Sequence, residues 1–250
     1  MRFFGRCKYN GTTFHGWQSQ KNDPLTIQYQ IENALSMVLR NPTPIVGCGR
    51  TDAGVHSSEY FFHFDAEIEV DYLETLLFKA NSILPFTIVI NRFYQVADDA
   101  HARYDATRRA YTYYVVNQRD PFRQHTTFFY ANCQKIDVDL LQKAAQLLLN
   151  FEDFTPFCKS GSNVKHKRCT IYKSEWKQTE TGFIYHVEAN RFLRGMIRLI
   201  VGMCINVAIG KIRIIEVEEA LKDQQRLTLD WSVPATGLFL SKIDYEYIND

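Results

Sequence analysis

The sequence predicts an α+β protein of two similar lobes, each a mainly antiparallel sheet covered by helices. Three observations predict it. Strand-like and helical periods alternate along the chain, much the same set recurs in the second half, and no low-complexity stretch or flexible linker separates the two. The boundary falls near Tyr104 to Thr107, giving an N-terminal lobe of residues 1–104 and a C-terminal lobe of residues 105–250. With 250 residues, 46% of them hydrophobic and 14% aromatic, the chain can bury a large core.

The opening run RFFGRCKYNG reads as a short strand ended by an Asn-Gly turn. In TIQYQIENALSMVLR, Ile27, Ile31, Leu35 and Val38 fall on one helical face, with Thr26 as N-cap and NPTP as the stop. From Glu59 to Asp65 the period changes to two. Tyr60, Phe62 and Phe64 then point one way, and Glu59, Phe61, His63 and Asp65 the other. YLETLLFKANSIL is a second amphipathic helix ended by Pro85, and IVINRFYQVA another strand. The second set is strand AYTYYVVN, helix VDLLQKAAQLLL, strands around TIYKSEWKQ and GFIYHVEAN, and an apolar helix in RGMIRLIVGMCINVAIG.

Composition narrows the class. The best membrane candidate, Phe192 to Gly210, carries Arg194 and Arg198, whose burial in lipid would cost several kcal/mol, so it reads as a buried helix with no membrane partner. The first residues lack a secretory pattern. Six cysteines without a C-x-x-C pair argue against a disulfide framework or a cysteine zinc site, and free thiols suit a cytoplasmic protein. The net charge of +1 hides an acidic cluster (Asp65, Glu67, Glu69, Asp71, Glu74) and a basic segment with Lys159, Lys165, Lys167, Arg168 and Lys173. Such a segment fits either a polyanion or a solvated loop.

GCGRTDAGVH places Asp52 in a glycine-containing loop just before a strand. Gly49 and Gly54 can take conformations closed to other residues, and Arg50 can reach a phosphate or a base. On its own the motif favours an Asx-turn, in which Asp52 satisfies loop amides. A metal-dependent phosphodiesterase using Asp52, His56, His63 and Asp65 is a further reading, although ligand spacing of this kind is loose and common.

YNGTTFHGWQSQ, GRTDAGVH with its aromatic strand and HFD, ARYDATRRAYTYYV, RGMIRLIVG and PATGLFL stand in the order in which they occur in the TruA family of tRNA pseudouridine synthases. The chain resembles that family from Lys8 to Tyr245. The resemblance implies conversion of uridine to pseudouridine at positions 38 to 40 of the tRNA anticodon stem-loop. It also implies a homodimer, a positively charged cleft between the lobes, and no metal or other cofactor. Asp52 is then the catalytic carboxylate, Tyr111 the active-site tyrosine, and Arg198 the basic residue, ion-paired with Asp52. Arg50 assists base flipping and binds substrate, together with Arg103, Arg108, Arg109, Arg191 and Arg194. Tyr113 and Tyr114 suit the sheet core better than the site. A catalytically silent RNA-binding module is the competing reading, weakened by the intact Asp52, Tyr111 and Arg198 set. The chain departs from the family's pattern at Ser57, at Phe86 and Thr87, at Ala100 and His101, and in the insertion-like CKSGSNVKHKRC.

Overall fold

A computed structural model describes residues 1–159 and 166–248. In chain order the elements are β1 (Arg2–Tyr9), α1 (Ile27–Leu39), β2 (Val46–Gly47), β3 (His56–Asp65), α2 (Leu73–Ile83), β4 (Ile88–Val96), β5 (Arg108–Val116), β6 (Phe128–Phe129), α3 (Val138–Leu147), β7 (Ile171–Thr179), β8 (Gly182–Ala189), α4 (Met196–Ala208), α5 (Ile214–Lys222) and β9 (Leu238–Asp244). The fold is α+β, and most strand pairs are antiparallel. Two compact units result: Met1–Thr107 with Phe239–Asp250, and Arg108–Leu238.

In the first unit the strands run β4-β1-β3-β9, with β2 added to β3. Phe3, Cys7, Phe62 and Phe64 of the strands and Ile31, Leu35, Leu76 and Ala80 of the helices are buried in its core. The alternation in β3 foretells one covered face, yet Phe61 and His63 on the other face are buried too. The cover comes from the C-terminal segment: Tyr245 lies edge-on to Phe61 at 5.2 Å and to Phe4 at 5.4 Å, while Phe4 also stacks on His63. Residues from Phe239 onward are thus part of this unit. No local pattern announces which sheet a returning strand will join.

Thr26 occupies the N-cap position of α1, but its side chain caps nothing, and its buried hydroxyl has no partner among the described residues. The helix is held by packing of Ile27, Ile31, Ala34 and Leu35.

The second unit is built on β5, paired antiparallel with β8 and in parallel with β6, with β7 beyond β8. Helix α4 is apolar nearly all round and is packed against α3; Ile200, Val201 and Cys204 are fully buried. This burial, with Tyr185, Leu141 and Ala144 also in the core, accounts for a helix that would otherwise suggest lipid. Among the described residues, no helix is long and apolar enough to cross a membrane.

Candidate active site

Asp52 opens a β-turn closed by the Val55 N–H, which donates to the Asp52 carbonyl at 3.2 Å. Gly54, third in the turn, has φ +76°, which a type II turn reserves for glycine. Segment 11–17 braces the loop from outside. Trp17 N–H donates to the Thr51 carbonyl at 3.1 Å, Gly54 N–H donates to Phe14 O at 3.3 Å, and the Thr51 and Tyr9 hydroxyls are 2.9 Å apart. Gly16, at φ +99°, lets the segment close in; a Cβ there would sit 2.7 Å from the Thr51 oxygen. Below, Trp17 stacks on Tyr60 at 3.9 Å, and the Tyr60 hydroxyl donates to Gly49 O. Asp52 is therefore half-buried on a backbone fixed from two sides. Gly49 does not need its freedom: its φ is not positive, and a Cβ there would meet nothing.

Arg50 is exposed, and its Nε donates to Gln18 Oε1 at 3.0 Å. Gln18, Trp17 and Gly16 lie in the GWQSQ stretch, whose part in building the loop is absent from the sequence reading. Only the fold shows that residues thirty positions apart share one turn.

Of the four residues offered for a metal, His56, His63 and Asp65 are committed elsewhere. His56 is fully buried, accepts the Gly11 N–H through Nδ1 at 3.1 Å and stacks on Phe239. His63 accepts the Ala102 N–H at 3.1 Å, and Asp65 forms a two-point ion pair with Arg2 at 2.8 and 3.0 Å. Among the described residues no group of three His, Cys, Asp or Glu side chains is placed to hold a metal ion.

Burial, aided by the charges of Arg2 and His101, pushes the His63 pKa down to about 4. The unfolded chain takes up that proton near pH 6.5, the native state only near 4, so stability is complete above about 6.5 and falls as pH drops between the two. The urea midpoint of wild type should fall across this window, and His63→Gln should remove that part of the slope, which is at most about 1.4 kcal/mol per pH unit. Equal slopes would refute the assignment.

In the second unit, Tyr111 stands on β5 opposite Val187 of β8, half-buried and edge-on to Phe192 at 5.2 Å. Arg109 and Tyr113 alternate onto the same strand face. Tyr113 is the core tyrosine: it is fully buried, its hydroxyl donates to Pro234 O at 2.7 Å, and burial pushes its pKa up. Tyr114 is half-buried. Arg198, in the first turn of α4, donates through Nε to Val233 O at 2.6 Å, and Val233 N–H returns a bond to Arg198 O. Segment 231–234 comes this close because Gly202 faces it; a Cβ on Gly202 would lie 1.9 Å from the Trp231 oxygen. One short segment therefore carries the acceptors for both Arg198 and Tyr113.

The remaining arginines are dispersed. Arg103 lies 5.9 Å over the ring of the exposed Tyr104. Arg108 pairs with Glu188 at 3.1 Å and covers Tyr172, while Arg109 donates to Asn190 O at 2.9 Å. Arg191 approaches His166 at 3.4 Å, and Arg194 is exposed. The basic segment is less basic in three dimensions: Arg168 pairs with Glu152, and Lys173 with Glu175 at 2.9 Å. Lys165 and residues 160–165 of CKSGSNVKHKRC lie outside the described residues.

A family model described as tRNA pseudouridine synthase matches residues 144–246. The chain is 39% identical over 244 residues to the tRNA pseudouridine synthase A of Azobacteroides pseudotrichonymphae, covering 98% of this chain and 96% of that protein. It is likewise 39% identical to that of Porphyromonas gingivalis, covering 98% and 97%. A protein of the same name from Staphylococcus aureus is 35% identical, over 97% and 91%.

Proposed function

The chain belongs to the TruA family of tRNA pseudouridine synthases, and on that premise we propose that it isomerises uridine to pseudouridine in tRNA, at positions 38 to 40 of the anticodon stem-loop. The ribose C1′–N1 bond of uridine breaks, the uracil turns over, C1′ bonds to C5, and the C5 proton is lost while N1 gains one. No electron or group enters from outside.

The observation that carries this reading is the Asp52 turn: a half-buried carboxylate on a backbone held by segment 11–17, beside an arginine held by Gln18. Such a carboxylate can act as nucleophile or base beside the ribose with little motion of its own. Tyr111 stacks on the uracil and assists removal of the C5 proton. Arg198 pairs with Asp52 and holds it in place, across a positively charged cleft between a lobe that carries the Asp52 loop and one that carries Tyr111 and Arg198. Arg50 supports the flipped base, and Arg103, Arg108, Arg109, Arg191 and Arg194 contact the RNA, mainly at phosphates. The enzyme works as a cytoplasmic homodimer and needs no cofactor.

The test is tritium release from tRNA labelled at uridine C5, with EDTA present throughout. Release, with pseudouridine mapped at positions 38 to 40, supports the proposal. No release from tRNAs with uridine at these positions, or release only after a divalent ion is restored, overturns it. Arg198→Ala should lower turnover, because Asp52 loses the partner that holds it in place. Turnover equal to wild type would exclude the ion pair.

A further inference from the structure

The loop between β5 and β6, residues 117–127, carries a second aromatic and basic surface that the reaction does not use. Phe122 is 96% exposed and has no ring partner among the described residues. A phenylalanine left in water forgoes about 2 kcal/mol of burial, so its presentation calls for an explanation.

The loop is ordered rather than slack. Asn117 N–H donates to Thr181 O at 2.9 Å, and Tyr130 N–H donates to Val116 O at 2.9 Å, so its two ends are tied to the sheet. Phe122 N–H donates to the Asp120 carboxylate at 2.8 Å, which directs the loop's one acid onto the loop's own backbone. The Arg123 carbonyl accepts from Thr126 N–H at 3.0 Å, the Thr126 hydroxyl at 3.2 Å and the Thr127 hydroxyl at 2.9 Å. Arg119 lies 5.2 Å over the Phe129 ring, and the exposed Arg123 has no ion-pair partner among the described residues. The result is a solvent-facing phenyl ring on a hydrogen-bonded loop, between two cations at positions −3 and +1.

We propose that this loop is a second RNA contact, in which Phe122 stacks on an unpaired base and Arg119 and Arg123 take the adjacent phosphates. The inference rests on tRNA being the substrate. A ring with open faces and flanking arginines is what sequence-tolerant binding of single-stranded nucleic acid needs, because every base has a π-face and every nucleotide a phosphate. The base is not the one being isomerised. The loop leaves β5 at Val116, five residues from Tyr111, roughly 16 Å along the strand. The contact therefore adds affinity and register at a distance from the chemistry.

The test measures filter binding of unmodified tRNA and steady-state tritium release for wild type, Phe122→Ala, Phe122→Trp and Arg123→Ala. Phe122→Ala should weaken binding and raise KM about tenfold, within the roughly 5- to 150-fold range of lost base stacking, with the change falling on KM rather than kcat. Phe122→Trp should restore binding. Arg123→Ala should reduce the slope of log Kd against log salt concentration by about 0.7 to 0.9. Unchanged Kd and KM in Phe122→Ala would overturn the proposal, as would a change in sedimentation with RNA binding intact, which would mark a protein contact instead. Binding is read without turnover, so a failure of the isomerase reading shows as absent tritium release in wild type and stays distinct from the result at Phe122.

Discussion

Asp52→Asn will remove pseudouridine formation by at least about a thousandfold while leaving tRNA affinity and the urea midpoint close to wild type. The substitution is nearly isosteric. Three bonds that shape the turn are backbone bonds, from Val55 to the Asp52 carbonyl, from Gly54 to Phe14 and from Trp17 to Thr51, and these three do not depend on the carboxylate. What the amide lacks is an ionised oxygen able to attack or to take a proton. Tritium release and filter binding on the same preparation separate the two quantities. Release within tenfold of wild type would remove Asp52 from the chemistry, whereas loss of binding in step with release would make it a structural residue.

Gly202→Ala will destabilise the protein by about 3 kcal/mol, and turnover will fall with it. Propensity alone argues the reverse, since alanine in a helix interior is favoured over glycine by about 1 kcal/mol. The space decides against it. The new methyl would lie 1.9 Å from the Trp231 oxygen and 2.9 Å from its carbonyl carbon. A side chain could rotate aside, but a backbone carbonyl moves only with its segment, and overpacking of this kind costs about 1–3 kcal/mol or more. The displaced segment carries the Val233 and Pro234 carbonyls, so Arg198 loses its Nε acceptor and Tyr113 its hydroxyl acceptor. Urea unfolding and tritium release test this together; a variant as stable as wild type would show that segment 231–234 yields freely.

The elements with strong periods could be read directly. Ile27, Ile31 and Leu35 are the buried face of α1, and β1, β4, β5, β7 and β8 fall where strand-like runs occur. Helix α5 is missing from the sequence reading, which stops at Gly210, although Val217 and Leu221 are spaced to share its buried face. Strand β9 is missing because its place depends on β3, about 180 positions earlier. At the site, the residue types of the Asp52 loop were visible, while its support from Gly16, Trp17 and Gln18 was not. Local sequence states which conformations are permitted; which distant backbone will use the space is a property of the whole fold. Thr26 shows the converse, a residue with the right chemistry for a cap at the right position that makes no cap bond.

The split composition of the first unit bears on how the chain is made. Strand β9 pairs with β3, and Tyr245 donates to the Ala102 carbonyl, so residues 1–107 lack part of their sheet and their cover until Phe239 and its successors leave the ribosome. At about 5–20 residues per second that interval is roughly 7 to 26 s. During it, Phe4, Phe61 and His63 stay uncovered, while the second unit is the contiguous stretch Arg108–Leu238. The half of the protein made first is therefore finished last, and it is the nascent N-terminal segment that has most need of protection from aggregation during synthesis.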